Sequence, residues 1–141
     1  RQFPHESVAR MVQIDYDREM VFIATEPDAA AGERTLGAVR GQTDADNIQS
    51  EFAVMVRDEL AGEGLGRVLM EKLIDYVRSR GTLELVGYVL PENQAMLGLC
   101  KRLGFSGRYN GVEGVMEMRL RLNEPTEDWH LDRISGEMPP V

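Results

Sequence analysis

Glu51-Phe52-Ala53-Val54-Met55-Val56-Arg57 runs through Asp58-Glu59-Leu60 into Ala61-Gly62-Glu63-Gly64-Leu65-Gly66-Arg67. The first segment is near-continuously apolar at its centre, which predicts a strand buried on both faces in the middle of a sheet. A helical pattern follows the glycines at once. Leu65, Leu69, Leu73 and Val77 recur every four residues, with Val68 and Ile74 broadening the stripe, so a helix is expected from Leu65 to Ser79 with Gly81 as its stop. A strand that enters a helix through glycines lets several backbone N–H groups converge on an anion, with phosphate the usual guest. Glycine suits such a turn because the backbone must come close to the ligand and adopt positive φ.

Spacing narrows the guest. The dinucleotide pattern G-x-G-x-x-G fails in both registers, since its third glycine would fall on Arg67 or Leu69. No Gly-Lys-Ser/Thr follows, so the P-loop pattern fails as well. On this segment alone a phosphate cradle and a plain structural turn both remain open.

Working outward, Ser7 to Ile14 carries Val8, Met11, Val12 and Ile14 in a short helical pattern. Met20 to Ala24 and Thr35 to Arg40 read as strands that pair in a hairpin. Leu83 to Leu90 is a further strand, and Asn93 is a good N-cap for a helix reaching Leu103, with Met96, Leu99, Cys100 and Leu103 on one face. Gly104 followed by Phe105 fits a left-handed cap whose apolar neighbour packs back on the last turn. Gly114 to Leu122 alternates, setting Met116, Met118, Leu120 and Leu122 against Val115, Glu117, Arg119 and Arg121, as in a strand with one buried face. The class is α/β with a mixed sheet. Residues 123–141 form a polar C-terminal extension whose Trp129 is expected to anchor on its own domain.

Composition removes several functions. The 141 residues hold 16 Lys plus Arg against 24 Asp plus Glu, a net charge of −8 that argues against nucleic acid as a partner and suits a cationic one. No run approaches the ~18 apolar residues that cross a bilayer, so no membrane partner is expected. Cys100 is the one cysteine, which forbids an intramolecular disulfide and points to a cytoplasmic setting. A zinc site would need His5, His130 and Cys100 to converge from distant parts of the chain, so no metal is expected. The start at Arg1, without a charged leader and apolar core, reads as a cut.

The order strand, Gly-x-Gly, long helix, strand, Asn93, short helix, Leu103-Gly104-Phe105, strand resembles the GNAT acetyltransferase superfamily, from roughly Met20 to Leu122. Its signature is Gln/Arg-x-x-Gly-x-Gly/Ala, then an Asn-led helix ending in Gly-Phe. More narrowly, Gln13-Ile14-Asp15-Tyr16-Asp17-Arg18-Glu19-Met20, Glu51-Phe52-Ala53-Val54 and Leu85-Val86-Gly87 look like the acetyltransferase domain of bacterial Pat-type protein lysine acetyltransferases, which often follow an acyl-CoA synthetase-like region. The resemblance implies a domain over residues 1–122 with a mixed central sheet flanked by helices, N-terminally incomplete because the family's first strand and helix should precede the strand at Met20. It implies acetyl-CoA as donor, its pantetheine on the main chain near Met55, Val56 and Arg57. The pyrophosphate would lie on the amides of Ala61, Gly62, Glu63, Gly64, Leu65, Gly66 and Arg67, and Asn93, Met96 and Cys100 would border the donor. Side chains of Arg57 and Arg67 could add charge, or simply be solvated ends.

A lysine amine with a pKa of ~10.4 must lose a proton before it can attack, and the Pat-type match assigns that general base to Glu51. Three positions depart from the superfamily pattern. Ala61 stands for Gln or Arg, Met96 for Ala, and Cys100 for the tyrosine that protonates the leaving thiolate. The general acid is therefore unassigned, since Cys100 could serve or be a buried, inert thiol. A protein lysine is the implied acceptor. A small-molecule amine, a non-catalytic CoA-binding module and, outside the family, a nucleotide-binding domain are the alternatives. A homodimer is compatible with all of them.

Overall fold

A computed structural model describes residues 10–30, 32–60 and 62–125. Its elements in chain order are β1 (Arg10–Asp15), β2 (Glu19–Asp28), β3 (Gly32–Thr43), β4 (Gln49–Val56), α1 (Leu65–Ser79), β5 (Glu84–Val89), α2 (Gln94–Arg102), β6 (Ser106–Asn110) and β7 (Val115–Arg121), with a short 3-10 helix at Asp58–Leu60. The strands form one sheet in the order β1-β2-β3-β4-β5-β7-β6 among the described residues. Neighbours are antiparallel except β4 and β5, which run parallel. Parallel neighbours need a crossover connection, and α1 is that crossover.

Both helices lie on one face. Leu65, Leu69, Met70, Leu73, Ile74 and Val77 of α1 are buried with Met20, Phe22 and Ala24 of β2, Val39 of β3 and Phe52 of β4. Gly41 of β3 lets α1 sit this low, because a Cβ there would stand 2.7 Å from Cδ1 of Leu73. Leu99 and Cys100 of α2 join the same core. Gly104, at φ +98°, turns the chain so that Phe105 packs its ring edge on Phe52 at 5.5 Å between centroids.

Between β4 and β5 the sheet opens. Their register comprises Gln49↔Glu84, Ser50↔Leu85 and Glu51↔Val86 and goes no further. Phe52 comes next on β4, and its ring occupies the space of a side chain at Gly87 of β5, where a Cβ would overlap Cε2 and Cζ of the ring. A ring wedged across the join drives the strands apart beyond it.

Several expectations need correcting. The Ser7–Ile14 pattern is a strand from Arg10 onward, with Met11 turned to the core while Val12 and Ile14 pair with Ile23 and Val21. A strand therefore does precede the one at Met20, and it runs directly into it through Tyr16–Arg18. The central strand is not buried on both faces: Glu51, Ala53 and Met55 are exposed, because both helices pack on the other side. The edge strand β6 was not foreseen, since Ser106-Gly107-Arg108-Tyr109-Asn110 is almost wholly exposed and carries no apolar alternation. Leu122 and Asn123 still dock, through Leu122 N–H to the Leu83 carbonyl at 2.7 Å and the Asn123 amide to the carbonyls of Arg78 and Thr82. Trp129, His130 and His5 lie outside the described residues.

Gly87→Ala is expected to lower stability by about 2 kcal/mol, since the added methyl must displace the Phe52 ring. Chemical denaturation of Gly87→Ala, Phe52→Leu and the double variant checks this: the two losses should add to clearly more than that of the double, which has room for the methyl.

Candidate active site

In the open part of the sheet β4 presents, among the described residues, main chain without a strand partner on its β5 side. The Arg57 N–H donates to the Leu36 carbonyl at 3.0 Å, so Arg57 faces β3. Residues along an antiparallel strand alternate in direction. Met55 and Ala53 therefore share Arg57's direction, while Val54 and Val56 turn their N–H and C=O groups toward the gap, beyond the last β5 pair. Of the three residues expected to pair with a ligand's extended arm, Val56 presents its main chain there and Met55 and Arg57 are engaged with β3. Val54 joins Val56, and only the direction of the ladder could have revealed it.

The glycine turn lies at the end of that strand. Gly62 at φ +82° and Gly64 at φ +90° take left-handed conformations that other residues resist. Gly64 is the N-cap of α1, and having no side chain it contributes no cap hydrogen bond. The amides of Leu65, Gly66 and Arg67 thus open a fifteen-residue helix with no intrahelical partner, at the positive end of its dipole. A Cβ at Gly66 would lie 3.5 Å from Cδ2 of Leu99 and 3.9 Å from Cγ2 of Val56, so the end of β4, the start of α1 and α2 meet here. Glu63 is half-buried in the turn, and Ala61 lies outside the described residues.

Neither nearby guanidinium is idle. Nε of Arg57 donates to the Thr35 carbonyl at 2.6 Å with Nη1 3.8 Å from Glu59, and Nε of Arg67 pairs with Glu71 at 3.2 Å. The attraction for an anion therefore falls chiefly on the backbone amides.

On α2, Oδ1 of Asn93 accepts from the Met96 N–H at 3.2 Å, so this side chain and that amide serve the helix start. Met96 is half-buried against the core. Cys100 is fully buried, and desolvation pushes its thiol up to about 11. The position that should hold a general acid thus carries a thiol closed to solvent.

Glu51 stands on the face opposite both described helices, on the last β4 residue paired with β5. It is exposed, with Gln42 directly across on β3 and Val86 on β5. The strands below it are cross-linked: Oε1 of Glu84 accepts from Nε2 of Gln49 at 2.8 Å and from Nη1 of Arg119 at 2.7 Å, tying β4, β5 and β7 together just before the gap. The site is a slot through the sheet, with a carboxylate at one face and a helix N-terminus at the far end of the open strand.

Comparison with known proteins gives the family of the chain. Residues 1–105 match the acetyltransferase (GNAT) family. An acetyltransferase of Pseudomonas aeruginosa is 36% identical over 100 residues, covering 70% of this chain and 53% of its own. An L-amino acid N-acyltransferase of Escherichia coli is 34% identical over 86 residues, covering 55% of this chain and 50% of its own. The chain spans about half the length of these relatives. A Salmonella typhimurium protein solved with its cofactor acetyl-CoA superposes at a TM-score of 0.65 with 26% identity, over 77% of this chain and 67% of that one.

The buried thiol gives a direct test. An alkylating reagent should modify Cys100 at least ~100-fold more slowly in the folded chain than in urea, because reaction needs an exposed thiolate. Its pKa is raised on folding, so its contribution to stability is complete below the ordinary thiol range of ~8.5 and declines as pH rises toward 11. Denaturation of wild type and Cys100→Ala across that window should show a steeper alkaline decline in the wild type.

Proposed function

The chain belongs to the GNAT acetyltransferase family, and on that premise we propose that it transfers an acetyl group from acetyl-CoA to a primary amine, with Glu51 as the general base. The observation that carries this reading is the gap itself. An unpaired strand edge at Val54 and Val56 leads to uncapped amides at the start of α1, and Glu51 flanks the other end. The edge suits the amide-bearing arm of a CoA thioester, which can add to it as another strand would. The amides of Leu65, Gly66 and Arg67 suit a pyrophosphate.

Acetyl-CoA supplies a thioester carbonyl open to attack. The chain's part is to hold the reactants together and to manage charge. Glu51 accepts a proton from the incoming ammonium, directly or through one water. Glu51 passes that proton on to water; the amine nitrogen then forms the C–N bond as the C–S bond breaks, and the second amine proton passes to the freed Glu51 carboxylate. Sulfur departs as thiolate and takes its proton from water, given that Cys100 is sealed in the core. No covalent link to the protein is required.

The acceptor has two readings. The segments at Gln13–Met20, Glu51–Val54 and Leu85–Gly87 support the Pat-type protein lysine. A small-molecule amine is supported by the Escherichia coli relative, whose name gives amino acids as acceptors. A CoA-binding module without catalysis is the third reading, favoured by the burial of Cys100, and turnover with any amine removes it.

Calorimetric titration with acetyl-CoA, with ATP and NADH as controls, should show selective binding of acetyl-CoA. Glu51→Gln should lower kcat by about 100-fold or more while the acetyl-CoA Kd stays within about twofold. An equal loss in both, or none in either, removes Glu51 from the role.

A further inference from the structure

Acetyl-CoA is strongly anionic, and the chain it would meet carries a net charge of −8. At the start of α1 both neighbouring guanidinium groups are engaged, Arg57 with Thr35 and Glu59 and Arg67 with Glu71. A third arginine stands on α2. Helix α2 leads from β5 to β6, and these two strands run parallel because each is antiparallel to β7. Helix α1 joins the parallel strands β4 and β5 in the same way. Both helices therefore run back against the strands before them and open at the same end of the sheet.

One contact fixes which side of α2 looks toward α1. Cδ2 of Leu99 lies 3.5 Å from where a Cβ on Gly66 would stand, so Leu99 faces the first turn of α1. Ala95, Leu99 and Arg102 follow the spacing of a single helical stripe, and Arg102 leaves α2 on that side. Long side chains on a helix lean toward its N-terminus. Arg102 does so, since its Nη1 is 3.3 Å from where a Cβ on Gly98 would stand, one turn back and adjacent to Leu99. Glycine is unfavourable inside a helix, and here its bare surface is where the guanidinium rests. Arg102 is exposed and makes no hydrogen bond or ion pair among the described residues. Lys101 shares the last turn of α2 but stands roughly 200° around the helix from Leu99, on another side.

We propose that Arg102 holds the ribose 3′-phosphate of CoA and is the residue by which the chain distinguishes CoA from dephospho-CoA. The proposal rests on the reading of the Leu65, Gly66 and Arg67 amides as the diphosphate site. With the diphosphate on those amides, the remaining phosphate of CoA is one ribose away. Across the Leu99 contact, α2 offers it an unengaged guanidinium on a long side chain. A guanidinium can grip a phosphate through two N–H groups at once, so the contact is worth more than a single point charge at that distance. Dephospho-CoA lacks the phosphate and leaves Arg102 in water.

Calorimetric titration of acetyl-CoA and acetyl-dephospho-CoA into wild type, Arg102→Met and Lys101→Met tests this. Wild type should bind acetyl-CoA about tenfold or more tightly than the dephospho form, the worth of one charge-assisted contact. Arg102→Met should bring that ratio near unity by weakening acetyl-CoA alone, and its denaturation midpoint reports that it is folded. Lys101→Met removes the same charge from another side of α2 and should keep the ratio within about twofold of wild type. Added salt should shrink the wild-type ratio and leave that of Arg102→Met unchanged. No preference in wild type, a preference that survives Arg102→Met, a loss equal for both ligands, or an equal fall in Lys101→Met overturns the assignment of Arg102 while leaving the α1 amides as the donor site. Absence of acetyl-CoA binding by wild type overturns both.

Discussion

Phe52 and Gly87 set the one constraint on which the site depends. Two parallel strands side by side would ordinarily go on pairing, since every unpaired N–H and C=O buried between them is a loss. Here an aromatic ring from β4 fills the place of a side chain on β5, and pairing ends at Glu51↔Val86. The ring is held from behind by Phe105, which the Gly104 turn delivers at the end of α2. The Gln49–Glu84–Arg119 cross-link holds the strands together immediately before they part. One end of the join is clamped and the next residue is wedged, so the opening has a fixed position in the sequence.

From that opening the chemistry divides between two faces. Both helices among the described residues cover one face, so a residue on β4 serves the core or the surface according to its parity. Phe52 is core, while Glu51, Ala53 and Met55 are surface. The main chain between them at Val54 and Val56 serves neither, and among the described residues no strand pairs with it on the β5 side. The start of α1 adds uncapped amides to the same opening because its N-cap is a glycine, with no side-chain oxygen to accept from them. An anion there meets backbone dipoles rather than side-chain charge, since Arg57 and Arg67 already have partners.

Much of this was legible beforehand. The four-residue spacing of Leu65, Leu69, Leu73 and Val77 predicted α1 to the residue, because a long amphipathic stripe has no competing reading. Asn93 and Gly104-Phe105 predicted the bounds of α2 through cap chemistry that is local by nature. Where periodicity was short, it misled. Met11, Val12 and Ile14 fit a helical face and a strand equally well, and pairing with β2 decided for the strand. The exposed run at Ser106–Asn110 has no pattern at all and is a strand only because β7 lies beside it.

The sequence by itself determined the strand, glycine turn and helix that leave open amides at the start of α1, since each rests on contacts within a few residues. It also determined the acidic balance and the lone buried-type cysteine. Only the tertiary structure decided which main-chain groups face the gap, because ladder direction depends on which neighbour β4 pairs with. It alone decided that both helices share one face, leaving Glu51, Ala53 and Met55 on the other. The place of Glu51 between Gln42 and Val86 is a property of register, which forms when the strands meet.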